Sequence, residues 1–272
     1  MKRYTFFTLL ICLFLLAGCQ PSEGEEMNVL YEFDEGVERV DTIFIAAPST
    51  KLFVETSEAE KITVELKGVF SGTDKEKENL LKTEISGEVF QVNIKPPISK
   101  KWIEEDLELH ITIPDKYYEQ IKVEVTSKPM ELGKLNAKLF QLNSTSGDHF
   151  MSGINAESFQ IEATSGDIEI LDFTGEGNIE MTSGDVFLNI QEITEPISIS
   201  NTSGDIHLNV ASDAGFFLNT NIRKNRTEVE GGIATRWRDE TKNNGEINNP
   251  PTSGPTIHIT TNSGRLLIGK ME

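Results

Sequence analysis

Aliphatic and polar residues alternate on both sides of a four-residue motif that recurs through the second half of the chain. The motif is Thr-Ser-Gly-Asp at 145–148, 164–167, 182–185 and 202–205, with a variant, Asn-Ser-Gly-Arg, at 262–265. The fourth residue before each serine is a large aliphatic: Leu142, Ile161, Ile179, Ile199 and Ile259. The third residue after each serine belongs to the same class with one exception: His149, Ile168, Val186, Ile206 and Leu266. Because successive side chains of a strand point to opposite faces, the pattern predicts a strand on each side of a sharp corner.

The spacing of the motif predicts a β-solenoid. The serines are 19, 18, 20 and then 60 residues apart, and Ser127 extends the series one step towards the N-terminus. One coil of a β-solenoid has about this length, and its strands pair in parallel with those of the next coil, about 4.8 Å away. We therefore expect coils of about 19 residues in 119–272, with the aliphatic side chains stacked in inward columns. An insertion at about 223–255 interrupts the repeat after a degenerate corner near Ile222.

Residues 29–118 lack the strict repeat but contain strand-like runs separated by Gly, Pro, Ser and charged residues. The runs are Thr42 to Ala46, Lys51 to Glu55, Ile62 to Phe70, Val89 to Ile94 and Leu107 to Ile113. We expect antiparallel strands that begin or cap the solenoid and protect its first edge from open-ended pairing. Thr73 and Glu76 have the spacing of a weak helix-capping box, so a short helix and a charged loop both remain open for 73–81. The predicted fold class is all-β.

The first residues resemble a lipoprotein signal peptide. Lys2 and Arg3 precede an almost wholly apolar run from Phe6 to Ala17, which is short for a membrane span but suits a secretory signal. Leu-Ala-Gly-Cys at 16–19 resembles the lipobox of bacterial lipoproteins, which implies cleavage after residue 18 and acylation of Cys19, for example with palmitate. We expect a signal peptide at 1–18, a polar tether at 19–28 and a lipid anchor on the extracytoplasmic face of the cell membrane. The alternative is an uncleaved signal anchor with an incidental cysteine.

The lipobox, the strand-rich first half and the recurring Thr-Ser-Gly-Asp steps together resemble the bacterial putative-adhesin family. The resemblance covers about residues 40 to 270. It implies a β-helical repeat domain at the cell envelope with no assigned biochemical activity. The chain departs from the family pattern at the degenerate corner near Ile222 and at Arg265, which replaces the last aspartate.

The charge of the chain limits its partners. With 44 acidic and 25 basic side chains, the net charge is −19, which argues against nucleic acid because phosphate is bound by clustered Lys and Arg. Stacked coils would place four corner carboxylates in one column: Asp148, Asp167, Asp185 and Asp205. Like charges at that spacing repel, so weak binding of a hard cation such as Ca²⁺ is one hypothesis. The alternative is a solvated turn aspartate bonded to nearby amides, hydroxyls and water.

Other metal and cofactor sites have little support in the sequence. The four histidines are scattered, and His149 takes an inward position, where a hydrogen-bonded core residue is the alternative to a metal ligand. No phosphate loop, His-Glu-x-x-His or Gly-x-Ser-x-Gly pattern occurs. We therefore predict no metal and no cofactor.

The insertion is basic in an otherwise acidic chain. It contains Arg223, Lys224, Arg226, Arg236, Arg238 and Lys242, together with Trp237. Arg and Trp are typical of interaction hot spots, and loops on solenoids often bind partners. Arg236, Trp237 and Arg238 are therefore the predicted binding loop, and the alternative is a flexible solvated hairpin.

These features favour a non-catalytic surface scaffold or adhesin-like binding module, whose partner is an unidentified envelope protein or glycan. The alternative is a carbohydrate-active enzyme, a polysaccharide lyase or glycosidase, since some β-helices have that activity. Such activity needs clustered acids, and a lyase also needs a basic residue beside them. The aspartate column has basic residues only near its ends, at Lys128 and Arg265.

Overall fold

The computed structural model describes residues 25–70, 73–95, 106–241 and 243–271. The predicted signal peptide and Cys19 lie outside the described residues. Within the described ranges, none of the helices has the length and hydrophobicity needed to span a bilayer.

The first half of the described chain contains eight strands and one α-helix. The strands are β1 (Glu25–Phe33), β2 (Thr42–Ala47), β3 (Lys51–Ser57), β4 (Ile62–Phe70), β5 (Leu81–Ser86), β6 (Val89–Ile94), β7 (Glu108–Pro114) and β8 (Tyr118–Val125). The helix, α1, spans Asp74–Leu80, and Thr73 and Glu76 form the reciprocal hydrogen bonds of a capping box at its start. The short-helix interpretation of this segment is therefore confirmed, and the five predicted strands are present as β2, β3, β4, β6 and β7.

The second half consists of thirteen strands. They are β9 (Met130–Ser144), β10 (His149–Ala163), β11 (Ile168–Ile170), β12 (Phe173–Ser183), β13 (Val186–Ile190), β14 (Ile197–Ser203), β15 (Ile206–Val210), β16 (Phe216–Thr220), β17 (Thr227–Val229), β18 (Thr235–Trp237), β19 (Asn244–Ile247), β20 (Thr256–Ser263) and β21 (Leu266–Lys270). The motif corners lie between these strands, as the alternation predicts.

In the described part of the chain, the 21 strands form one continuous sheet with two layers around a common core, which we call the first and the second sheet. The first sheet is built on the strands before each corner, in the order β5, β6, β2, β8, β9, β10, β12, β14, β20, β16, β19 and β18. The second sheet is built on the strands after each corner, in the order β1, β4, β7, β3, β9, β10, β11, β13, β15, β21 and β17. The long strands β9 and β10 contribute their second halves to the first sheet and their first halves to the second. Parallel pairing from coil to coil confirms the predicted β-solenoid.

The inward columns have the predicted register. In the first sheet, the aliphatic residues four before each serine lie opposite one another and are fully buried: Leu142, Ile161, Ile179, Ile199 and Ile259. In the second sheet, the matching column is His149, Ile168, Val186, Ile206 and Leu266. No coil can bury these side chains alone, so the stability of each coil depends on its neighbours.

The residues six before each serine form a further inward column, in which Gly177 is the exception: Phe140, Phe159, Gly177, Ile197 and Ile257. The structure gives the reason for the glycine. The ring of Phe159, one coil earlier, occupies the space that a side chain at Gly177 would need, because an added Cβ would lie 2.1 Å from Phe159 Cζ. Phe159 also contacts Phe173 edge to face, with ring centroids 5.8 Å apart. A large ring in one coil is therefore accommodated by the missing side chain in the next.

The order of the coils in space differs from their order in the chain at both ends. β2 pairs in parallel with both β6 and β8, and β3 pairs with both β7 and β9. At the other end, β20 lies between β14 and β16, and β21 lies between β15 and β17. The parallel stack therefore extends into 29–118, where we expected only antiparallel strands: β6 and β7 form its first coil in space, and β2 and β3 form the next. Ile43 and Leu52 continue the buried columns ahead of residue 119.

Antiparallel strands cover both edges of the stack. At the first edge, β4 pairs with β7, β1 pairs with β4, and β5 pairs with β6, which matches the predicted capping role of the N-terminal strands. At the last edge, β19 pairs with β16 and β18 pairs with β19. The predicted insertion thus supplies the C-terminal cap, and its first strand, β17, continues the second sheet.

β1 begins inside the segment that we expected to be a tether. It pairs with β4 over nine residues, from Glu25 opposite Phe70 to Phe33 opposite Ile62, and Met27 is buried. Residues 25–28 therefore belong to a strand of the cap and not to a tether, because they pair with β4.

Candidate functional site

The glycines of the corner motif stack directly on one another. An added Cβ at Gly184 would lie 2.0 Å from the carbonyl oxygen of Gly166, and one at Gly204 would lie 2.0 Å from that of Gly184. Their φ angles are +107° for Gly184 and +130° for Gly204, a conformation that side chains disfavour. The corner therefore requires glycine both for its backbone conformation and for the close approach of the next coil.

The serine and aspartate of the motif join neighbouring coils. Ser165 Oγ donates a hydrogen bond to the carbonyl oxygen of Thr145 at 3.2 Å. The carboxylate of Asp148 accepts one from the backbone N–H of Asp167 at 3.0 Å. The same bond recurs along the column, from the N–H of Asp185 to Asp167 at 2.8 Å and from the N–H of Asp205 to Asp185 at 2.7 Å. The aspartate column is therefore a hydrogen-bond ladder between coils.

The ladder ends at Arg265, which replaces the aspartate of the motif in the last coil. Its guanidinium bonds to Asp205, and this hydrogen bond is the main reason that the pKa of the Asp205 carboxyl lies below its ordinary value. Among the described residues, no group of three or more His, Cys, Asp or Glu side chains could hold a metal ion. Cation binding by the column stays a prediction. One oxygen of each carboxylate already accepts a hydrogen bond from a backbone N–H of the next coil.

The predicted binding loop lies on β18 and the residue that follows it, Arg238, at the outer edge of the C-terminal cap. Trp237 is partly buried against the core, and its ring covers Gly245 on β19, where an added Cβ would lie 3.0 Å from the ring. Arg238 Nε donates to Glu246 Oε1 at 2.9 Å, and Arg236 lies 3.8 Å from the same carboxylate. The cap therefore uses Trp237 and Arg238 for its own packing, while Arg236 is mainly exposed, and a binding role for the three stays a prediction.

A row of aromatic and acidic side chains crosses the outer face of the second sheet. In successive strands, the row reads His110, Phe53, Glu131, Phe150, Glu169, Phe187 and His207, and we call it the aromatic-acidic row. The rings at its two ends are stacked, with centroids 4.5 Å apart for Phe53 and His110 and 4.4 Å apart for Phe187 and His207. The rings are half-buried and the two glutamates are exposed. The row therefore offers rings and carboxylates in alternation to anything that lies on this face.

Sequence reasoning overlooked this row although the signal is in the chain. The third and fifth residues after each serine point inward and define the core, whereas the residue between them points outward. This fourth residue is Glu131, Phe150, Glu169, Phe187 or His207 in successive coils. Phenylalanine at an outward strand position, where polar residues are usual, is the indication that could have identified the row.

A groove of about 320 Å³ follows the middle of the row. Its lining includes Glu131, Phe150, Glu169, Phe187, Asp148, Asp167 and His149. In the part of the chain that the structure describes, neither Glu131 nor Glu169 has an ion-pair or hydrogen-bond partner. The groove therefore combines apolar rings with carboxylates that are free to interact.

His149 is the polar member of the inward column. It is only 2% exposed, and its Nε2 lies 2.5 Å from Ser144 Oγ, while its Nδ1 has no hydrogen-bond partner among the described residues. Burial lowers the pKa of His149 to about 4, and the charge of Asp148 opposes this shift. The imidazole is therefore neutral near pH 7. This agrees with the interpretation of His149 as a hydrogen-bonded core residue.

The stacked coils and their corners place the chain in a known family. The model of the Toastrack DUF4097 family matches residues 40–170 and again residues 129–268. The chain belongs to the Toastrack DUF4097 family. The two matches overlap, as expected of a repetitive fold, and together they extend from just before β2 into β21 of this Toastrack chain. The sequence-based resemblance to a domain family without assigned activity is thereby confirmed.

Solved structures match the Toastrack chain over most of its length. A "putative cell adhesion protein" from Clostridium sporogenes is 14% identical, with a TM-score of 0.36, and the match covers 90% of this chain and 98% of that one. A "putative adhesin" from Bacteroides fragilis is 12% identical, with a TM-score of 0.42 and 93% and 100% coverage. A "putative lipid binding protein" from Parabacteroides distasonis is 13% identical, with a TM-score of 0.37 and 91% and 98% coverage. No curated protein matches. These similarities do not identify what the Toastrack chain binds.

Proposed function

We propose that the chain is a lipid-anchored protein of the bacterial cell envelope that acts as a non-catalytic surface binding module. The observation that carries the proposal is the aromatic-acidic row. Packing of the core and bonding of the corners require none of its outward side chains, and aromatic residues are enriched at interaction surfaces. The rigid stack of coils holds the row in a fixed geometry.

The anchor is inferred from the lipobox-like residues before Cys19. β1 begins at Glu25, so the chain between the acylated cysteine and the first strand spans at most about 20 Å when fully extended. The N-terminal cap would therefore lie close above the membrane. A thioether-linked lipid with two or more acyl chains holds a protein stably without help from basic residues.

A non-catalytic role is supported by the state of the acidic residues. The carboxylates of the aspartate column accept backbone amides of the next coil, and Asp205 also binds Arg265. A lyase or glycosidase needs acids that can exchange protons with a substrate, with suitably shifted pKa values. No specific observation favours that alternative.

The anchor is tested with Cys19→Ser in the full chain, expressed in a bacterium fed an alkyne-tagged palmitate. We expect the wild-type chain to carry the tag and to sediment with membranes. The Cys19→Ser chain should carry no tag and should leave the membrane fraction. A tagged Cys19→Ser chain would contradict the proposed anchor.

The binding role is tested by co-sedimentation of the purified full chain with isolated cell envelopes. We expect the double variant Phe150→Ser, Phe187→Ser to lose most of its retention. The matched control is Phe44→Ser, Phe217→Ser, which makes the same chemical change at half-buried outward positions of the first sheet. Equal retention of the two variants would remove the aromatic-acidic row from the proposed function.

A further inference from the structure

We propose that the aromatic-acidic row binds an amino-sugar polymer, a β-1,4-linked glycan whose amines are free and protonated. The inference rests on the proposed binding function and names its ligand class. Three properties of the row lead to this class: its charge, its rings and its period.

The charge of the face requires a cationic ligand. Glu131 and Glu169 have no partner in the described part of the chain, and Asp148 and Asp167 line the same groove. The chain as a whole carries a net charge of −19, so an anionic polymer would be repelled over several ångströms before contact. A neutral glycan would leave the two glutamates without a compensating charge. Protonated amines supply that charge along the whole length of the row.

The rings require a ligand with flat apolar faces. Phe53, Phe150 and Phe187 are half-buried, so each exposes part of its ring on the sheet surface. One face of Phe53 is stacked on His110 and one face of Phe187 on His207, so a ligand contacts the parts of these rings that the stacks leave open. The C–H face of a pyranose ring packs on such a surface, and an ammonium group close to the ring gains a further cation–π attraction. An unbranched polyamine offers the charge but lacks the flat apolar face.

The period of the row fits an extended sugar chain. Phe53, Phe150 and Phe187 alternate with Glu131 and Glu169, so equivalent rings are two coils apart. Two coils advance by roughly 10 Å. In a β-1,4-linked chain the same ring face returns at every second sugar, over a comparable distance. One disaccharide would therefore meet one Phe and one Glu, and the pattern would repeat.

The groove offers polar groups for the hydroxyls of the sugar. Asp148 and Asp167 each use one carboxylate oxygen for the next coil's amide. The second oxygen of each carboxylate remains open to the groove. These groups lie on strands and corners fixed by the stack, so the site is formed before the ligand arrives.

The test measures binding of the full chain, purified in detergent, to three probes by isothermal titration at mildly acidic pH. The probes are the β-1,4-linked hexamer of glucosamine, the hexamer of N-acetylglucosamine and hexalysine. We expect the glucosamine hexamer to bind at least about tenfold more tightly than either of the others. Affinity should fall as salt is raised, because the charge attraction is screened.

Two double variants locate the site, and both change the net charge by the same amount. Glu131→Gln, Glu169→Gln removes both carboxylates of the row, and we expect it to weaken binding of the glucosamine hexamer by about tenfold or more. Glu162→Gln, Glu180→Gln removes two exposed carboxylates from the first sheet, where Glu162 lies opposite Glu180, and should leave the affinity unchanged. Phe187→Leu, which keeps an apolar side chain but removes the ring, should weaken binding while preserving the fold.

Several results would overturn the proposal. Equal binding of hexalysine would mean that the face is only a polyanion, and equal binding of the N-acetylated hexamer would mean that charge complementarity plays no part. An equal loss in the two glutamine variants would place the site elsewhere, and no binding of the glucosamine hexamer would reject the ligand class. If the glucosamine hexamer fails but retention on cell envelopes still depends on Phe150 and Phe187, the proposed function stands and only this ligand assignment fails.

Discussion

Arg265 binds Asp205 across sixty residues of sequence. Its Nε and Nη2 donate to Asp205 Oδ2 at 3.0 and 2.6 Å, and its backbone N–H donates to Asp205 Oδ1 at 2.8 Å. The two residues lie in adjacent coils because β21 pairs directly with β15. The ion pair therefore joins the C-terminal coil to a coil that is distant in the chain, at the place where another aspartate would add like charge to the column.

The Asp205–Arg265 pair makes stability depend on pH in a defined direction. The pKa of Asp205 is lowered in the folded protein, so the carboxylate stabilises the fold fully above its ordinary pKa of about 3.9. That contribution is lost as the pH falls through the lowered pKa. We expect Asp205→Asn to lower the thermal unfolding midpoint at neutral pH, and the difference from the wild type to narrow as the pH is lowered below about 3.9. Circular dichroism melts over this pH range measure the difference, and a difference that stays constant would contradict the assignment.

Glycine at the corner is expected to be indispensable because of contact between coils. Gly184→Ala would place Cβ 2.0 Å from the carbonyl oxygen of Gly166, and φ is already +107°. We expect a loss of more than about 4 kcal/mol in the free energy of unfolding, or no folded protein.

The matched control for this substitution is Gly232→Ala. Gly232 has nearly the same φ, +104°, but an added Cβ meets nothing within 4 Å. We expect a loss of about 1 kcal/mol there, from backbone conformation alone. Urea unfolding compares the two variants, and similar losses would show that the stacked carbonyl contributes little.

His149 is expected to destabilise the fold in mild acid. Its folded pKa of about 4 lies below the ordinary value of about 6.5, so the unfolded chain binds a proton that the folded chain excludes. Stability should therefore fall as the pH is lowered from about 6.5 to about 4, by at most about 3 kcal/mol.

His149→Ile, which introduces the residue found at the same position of the next coil, Ile168, should remove this part of the pH dependence. Urea unfolding of both proteins at several pH values measures it. If the two curves keep a constant separation from neutral pH to pH 4, the buried imidazole is not the cause.

Trp237 is expected to act mainly as a part of the cap. Its ring packs on Gly245 and the core, so Trp237→Ala should lower the free energy of unfolding by about 1–2 kcal/mol. Arg236→Ser, at the mainly exposed neighbour, should leave stability unchanged. Guanidinium unfolding measures the stability of both variants. If Trp237→Ala does not change the stability, the alternative interpretation of this segment as a flexible solvated hairpin is favoured.

The sequence predicted the columns of the core but not the neighbours of every coil. Ile161, Ile179 and Ile199 stack as expected because a period of two residues within strands and about nineteen between coils leaves one inward register. The period does not say which coils are adjacent. The placement of β20 between β14 and β16 depends on pairing across a long excursion of the chain, which local alternation does not report.

The candidate site was less predictable because outward positions obey weaker rules. The corner motif attracted chemical hypotheses since its residues repeat, yet Ser165 and Asp167 bond to neighbouring coils. Phe150 and Phe187 repeat at the same outward position but alternate with glutamate, so their row emerges only when the strands are placed side by side. Burial restricts strongly which residue types can occupy inward positions. The residue types at exposed positions depend on the binding partner, about which this sequence carries no information.

The central claim, that the aromatic-acidic row is the binding surface, is tested most directly by ¹⁹F NMR of the full chain labelled with 4-fluorophenylalanine. Resonances are assigned by single Phe→Leu substitutions, and soluble fragments of cell-envelope glycan are then added. We predict that the signals of Phe53, Phe150 and Phe187 shift or broaden, while those of Phe44 and Phe217, at outward positions of the first sheet, do not. Shifts at Phe44 and Phe217 with none in the row would contradict the account.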